Sequence, residues 1–179
     1  MDVEVEPLPN GLLVDGTKFV IGGWGSAPKA DFTNDTPGHI FVYDPATKTK
    51  TLVTKKPIGN IDGLESDGNG GYLATDYIKG KLYHVTPTGD FKEVRTFKPG
   101  TADIGYVPAS KILLVPHMNE SQVAAYDLSA DLTTGIATRH PSVVLKSSGE
   151  NAKARDFAFG PKLSRLDPFR LVLSVTRRV

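Results

Sequence analysis

The chain has 179 residues, with 21 Lys+Arg against 20 Asp+Glu and a formal net charge of +1. That is enough to bury one ordinary core, with no charge excess pointing to nucleic acid or any strongly acidic partner. No apolar run approaches the roughly 18 residues that a membrane span needs, and the absence of cysteine excludes disulfides, thiolate metal sites and a Cys nucleophile.

The start, Met1-Asp-Val-Glu-Val-Glu6, is acidic and lacks both a basic and an apolar leader region, so no signal peptide is expected. Its alternating Val3 and Val5 suit the last strand of a unit that begins upstream. Asn10-Gly-Leu-Leu-Val-Asp-Gly16 then precedes Lys18-Phe-Val-Ile21, and after a longer loop come Gly38-His-Ile-Phe-Val-Tyr-Asp-Pro45 and Lys50-Thr-Leu-Val53. The stretch Ile61 to Tyr77 is the clearest: a half-buried run, a turn made of Asp67, Gly68, Asn69, Gly70 and Gly71, and a second run from Tyr72. This reads as a β-hairpin. Gly80 to Val85, the turn Thr86-Pro-Thr-Gly89 and Phe91 to Phe97 complete a four-stranded meander. A third unit runs through Asp103-Ile-Gly-Tyr106, Lys111-Ile-Leu-Leu-Val-Pro116 and Gln122-Val-Ala-Ala-Tyr-Asp-Leu128.

Asp62 and Asp103 are 41 positions apart, as are Leu82 and Val123, whereas Asn10 and Asp62 are separated by 52, the surplus lying in the loop from Gly22 to Gly38. A four-stranded repeat of about 40 residues is the pattern of a β-propeller blade. The fold expected is all-β, a partial propeller over residues 1–128 with blades at about 10–56, 61–97 and 102–128. Three blades fall short of the usual minimum of about four, so the rest of a ring is expected from elsewhere, or from a second chain. Blade three is expected to stop after its third strand, leaving open edges prone to self-association.

Residues 130–179 differ in character. They carry 9 basic and 4 acidic side chains, net +5, and six of the nine are arginine; residues 1–129 carry 12 against 16, net −4, with one arginine. Residues 129–179 are therefore read as an irregular basic tail, poorly ordered or foreign to the repeat, or else a cap on the open edge of blade three, with short strand patterns at Ser142 to Lys146 and Phe169 to Arg177.

Propeller connectivity puts the start of each innermost strand on the same face as the loop joining second and third strands. Asn10, Asp62 and Asp103 should thus ring the mouth of a central channel, with Trp24, Asp31, Asp35, Asp76, Tyr77, His117, Met118 and Asn119 around them. Oxygen donors from neighbouring blades aimed at one axis suit a hard divalent cation, and such an ion polarises carbonyls and acidifies water. Asn or Asp before Gly also forms turns without any ligand, and both readings stand. The Asp67 loop resembles a calcium loop only superficially, since its twelfth position is Ile78. His39 and His84 fall within strand patterns and read as packing residues. The loop from Ser26 to Pro37 is either a lid or a solvated connector.

The motifs Pro9-Asn-Gly-Leu12, Ile61-Asp-Gly-Leu-Glu65, Gly80-Lys-Leu-Tyr83, Thr101-Ala-Asp-Ile-Gly-Tyr106 and Val115-Pro-His-Met118 with Val123-Ala-Ala-Tyr126 resemble the C-terminal half of the gluconolactonase, regucalcin (senescence marker protein) and luciferin-regenerating family of six-bladed propellers. The resemblance implies a divalent metal (Ca, or Zn, Mn or Mg) held by Asn10 and Asp62, with Asp62 also the general base of lactone hydrolysis. It implies a channel mouth that includes Asp103, Trp24, Asp76 and His117, and a small-molecule lactone as partner. The family's metal-ligating Glu has no counterpart here. Relatives are often exported. The expectation is a piece of a metal-dependent, lactonase-like hydrolase, inactive by itself, or else a non-catalytic propeller binding a small ligand or protein at the same mouth.

Overall fold

A computed structural model describes residues 8–132 and 143–146. It holds three four-stranded antiparallel sheets, each a simple meander. The first contains β1 (Pro9–Asp15), β2 (Lys18–Gly23), β3 (Ile40–Asp44) and β4 (Thr49–Leu52). The second contains β5 (Ile61–Ser66), β6 (Tyr72–Asp76), β7 (Lys81–Val85) and β8 (Phe91–Thr96). The third contains β9 (Gly105–Val107), β10 (Ile112–His117), β11 (Gln122–Asp127) and β12 (Val143–Lys146).

The first strands sit side by side, β1 against β5 and β5 against β9, so the sheets radiate like blades from a common inner edge. Alternation along each strand then gives every blade two faces, one for each neighbour. Val20, Ile40, Ile61, Leu64, Tyr72, Ala74 and Val85 fill the seam between blades one and two. Leu73, Leu82, Ile104, Leu113, Val115, Ala124, Tyr126 and Leu128 fill the seam between blades two and three. Strand β6 is buried throughout and gives alternate side chains to both seams, Tyr72 and Ala74 to one and Leu73 to the other.

The turns follow their residues. Asp67 Oδ1 accepts from the Asn69 N–H at 2.7 Å and the Gly71 N–H at 2.9 Å, closing the β5–β6 hairpin with no calcium loop. His84, expected only to pack, bonds the other Asp67 oxygen through Nε2 at 2.8 Å. His39 likewise both packs and bonds, with Nδ1 3.0 Å from the Thr54 carbonyl and its ring beside Phe41.

Blade three does not stop after its third strand: β12 pairs antiparallel with β11, Ala125 opposite Val143 and Gln122 opposite Lys146. Packing also runs past Leu128. Leu132 lies against the second core, and Asp131 takes a 2.9 Å bond from Arg95 Nε of β8. The strand pattern at Val3 and Val5 and the one from Phe169 to Arg177 lie outside the described residues. Among the described residues no helix is long and apolar enough to cross a membrane.

Candidate functional site at the channel mouth

Asn10 and Asp62 lie inside the first strands of their blades, where each strand bulges. Pairing of β1 with β2 shifts between Pro9 and Gly11, and pairing of β5 with β6 shifts between Ile61 and Leu64. A bulge lets one residue leave the pleat and re-aims its side chain. The glycine after each polar residue therefore serves close approach and not a turn. A Cβ on Gly11 would lie 2.7 Å from the Asp62 carbonyl oxygen, and one on Gly63 2.7 Å from both the Ile104 nitrogen and Thr75 Oγ1. The repeated Asn/Asp-Gly pair thus draws neighbouring inner strands together and turns a polar group out of each.

These groups meet. The Asn10 amide donates to the Ile61 carbonyl at 3.2 Å across the gap from blade one to blade two. Burial pushes the Asp62 carboxyl above its ordinary value, the negative charge of Asp103 raises it further, and a hydrogen bond from Asn10 offsets part of the rise. Asn10, Asp62 and Asp103 are therefore within electrostatic reach of one another across three blades. Asp103 is exposed and caps the Ile104 N–H at 2.9 Å. Glu65, not singled out from the sequence, joins this acidic line: burial raises its carboxyl, the Tyr106 N–H opposes that, and Asp103 adds to it. Its signal was a charge three residues after Asp62 on an otherwise apolar inner strand.

The remaining expected site residues divide between this centre and the seams around it. Trp24 stands at the end of β2, its Nε1 donating to the Phe32 carbonyl at 3.1 Å and its ring 5.8 Å from that of Tyr77. Asn60, also missed, fixes this pair: its side chain donates to the Trp24 carbonyl at 2.8 Å, and its carbonyl accepts from the Tyr77 N–H at 3.0 Å. Asp76 is wholly buried in the first seam. Its Oδ1 accepts from the Lys79 N–H at 3.0 Å, and a Cβ on Gly59 would lie 2.5 Å from Oδ2, an atom with no hydrogen-bond partner among the described residues. Burial pushes its carboxyl up.

His117 turns into the second seam, with Nε2 3.0 Å from the Tyr126 hydroxyl and its ring edge-on to Phe97. Desolvation there lowers its basicity. Asp31 and Asp35 are engaged within their own loop, by Thr33 and Lys29.

The donors of Asn10, Asp62 and Asp103 are all hard oxygens, which suits Ca²⁺ or Mg²⁺ better than a softer ion. They comprise two carboxylates and an amide. Among the described residues no group of three His, Asp or Glu side chains is placed to hold an ion by itself. The set would supply no more than part of an oxygen cage.

With this geometry in view, the resemblances among solved structures are to propellers or parts of them. An auxiliary nutrient binding protein from Bacteroides thetaiotaomicron superposes with a TM-score of 0.51 and 16% identity, over 66% of this chain and 28% of that one. One from Bacteroides ovatus gives 0.52 and 14%, over 73% and 31%. The chain has the fold of a partial β-propeller. It spans less than a third of the length of those two proteins, and at such identities the likeness speaks for fold alone. The tricorn protease follows at a TM-score of 0.48 and 11% identity, over 74% of this chain and 12% of the other. No family model matches the sequence, and no curated protein matches it.

Proposed function

We propose that the channel mouth binds a small oxygen-rich ligand with the help of a divalent cation held by Asn10 and Asp62, and that in a complete ring the same site hydrolyses a lactone. The observation that carries this reading is the Asp62 carboxylate, half-buried between an amide from one neighbouring blade and a carboxylate from the other. A half-buried carboxylate whose charge a second negative group disfavours is stabilised by a cation.

When bound, the ion would polarise the ester carbonyl and favour attack by water. Asn10 ties blade one to the backbone beside Asp62 through the Ile61 carbonyl and lowers the cost of charge on the Asp62 carboxyl. Asp62, made more basic by burial and by Asp103, is suited to take the proton of the attacking water. The tilted pair Trp24 and Tyr77 supplies an apolar wall on the same face.

The test is titration calorimetry with Ca²⁺, Mn²⁺ and Zn²⁺ on the wild type and on Asp62→Ala. The expected result is binding tighter than millimolar by at least one ion, weakened at least tenfold in the variant. No binding by the wild type, or equal binding by both, overturns the cation reading. A second reading is a site that binds a ligand without turning it over. A wild type that binds the ion and a sugar lactone but releases the lactone unhydrolysed would decide for it.

A further inference from the structure

The two outermost blade faces of this chain correspond, position for position, to the two sides of its internal seams. Strand pairing aligns β2, β6 and β10 residue for residue, through Gly23, Asp76 and His117 at their ends. Phe19, Tyr72 and Leu113 then occupy one position, on the face that each blade turns to the blade before it. Tyr72 is 7% exposed and Leu113 0%, because each has such a blade; Phe19 is 37% exposed. Val20, Leu73 and Leu114 occupy the next position, on the face turned to the blade after. Val20 and Leu73 are fully buried, and Leu114 is partly exposed.

Both outer faces are largely apolar, with Lys50 over the Phe41 ring on blade one and Asp127 opposite Ile112 on blade three. On blade one, Leu12 pairs with Ile21, which pairs with Phe41, which pairs with Leu52; Val14 pairs with Phe19 and Phe19 with Tyr43. Ile21, Phe41 and Tyr43 are buried, whereas Leu12 is 68%, Val14 65% and Leu52 49% exposed. On blade three, Val107 pairs with Ile112, Gly105 with Leu114 and Leu114 with Ala125, leaving Val107 47% and Val123 43% exposed. Side chains of this size, so placed on sheets, ask for cover. The seam inside the chain indicates which cover fits: Val20 and Leu64 belong to one core. Leu114 is the counterpart of Val20, and Leu12 the counterpart of Leu64.

We infer that blade three of one copy packs on blade one of a second, and blade three of the second on blade one of the first. Two such head-to-tail contacts related by a twofold axis close a ring. Three blades from each copy make six, within the four to eight at which propellers close. The channel mouth then receives Asn10, Asp62 and Asp103 from both copies, so each copy supplies half of the polar ring. This arrangement rests on the fold and not on the cation reading.

The chain has no cysteine, so introduced thiols are unique. Leu12→Cys and Leu114→Cys, made as separate proteins, are treated with a short bis-maleimide. The expected result is a covalent dimer when the two are mixed and none from either alone. The double variant should give a doubly linked dimer and no ladder. Sedimentation velocity of the wild type should give twice the chain mass of 19.3 kDa. Leu12→Glu alters a side chain already exposed; it should give a monomer with unchanged circular dichroism and a dimer dissociation constant at least tenfold weaker. A monomeric wild type overturns the inference. So do linkage of either single variant to itself, which means face-to-face pairing, and a ladder from the double variant, which means open fibres.

Discussion

At the scale of single residues, the site depends on two short-range effects that share one sequence pair. The glycine admits the neighbouring strand, and the polar residue before it is turned out by the bulge. Gly63→Ala would drive a methyl group into the Ile104 backbone and Thr75 Oγ1. It should cost about 1–3 kcal/mol, as overpacking does, read as a fall in the urea midpoint with the slope unchanged. The polar member gives a pH dependence whose sign follows from linkage. Asp62 has a folded-state value above its ordinary 3.8, first through burial and then through Asp103. The native state therefore holds that proton more tightly than the unfolded chain, and stability is lost as pH rises from about 3.8 through the raised value. Asp103→Asn removes the repulsion and leaves the burial. Its stability relative to wild type should rise with pH across that window, and the Asp62 carboxyl should titrate lower by NMR.

At the scale of strands and hairpins, each turn is held by a residue that also ties down something further away. Asp67 closes its hairpin through two backbone N–H groups and reaches across the sheet to His84 on β7. Burial pushes the Asp67 carboxyl up, but His84 and the two N–H groups together hold it below its ordinary value. Its contribution is present above the unfolded pKa and is lost as pH falls through the folded one. His84→Ala strips one oxygen of a side chain that is 6% exposed, and should cost about 1–3 kcal/mol. The deficit should shrink in acid, where Asp67 is protonated in both proteins; a deficit independent of pH would assign His84 to packing alone.

Strand pairs and turns of this kind were legible in the sequence, because Asp-Gly-Asn-Gly-Gly and Pro-Thr-Gly are punctuation with a local cause. The bulges were not, since nothing local distinguishes a Gly that turns the chain from one that lets a neighbouring backbone approach. Partners across blades, such as Asn60 with Trp24 or His117 with Tyr126, depend on which faces meet. Sidedness argued from connectivity does not give the direction of the His117 ring, which turns to Tyr126 and Phe97. Strand β12 was visible as a short apolar run, yet its place beside β11 is a tertiary fact.

At the scale of the whole molecule, two seams share one wall. Strand β6 is buried from Tyr72 to Asp76 and belongs to both cores, whereas every residue of β4 is exposed. The seams between blades are thus joined through blade two, by β6 and by Val85 and Leu82 of β7 on its two faces, so loosening one should loosen the other. Leu73 is fully buried on the side of blade three and adjoins Tyr72 and Ala74 on the side of blade one. Leu73→Ala should cost about 2–5 kcal/mol for the cavity left behind. If the seams are coupled, amides of β2 and β10 should lose hydrogen-exchange protection together in this variant. In the wild type, β6 should be the slowest strand to exchange and β4 among the fastest. Loss of protection confined to β10 would mean that the blades open one at a time, as units of a repeat whose interfaces act independently.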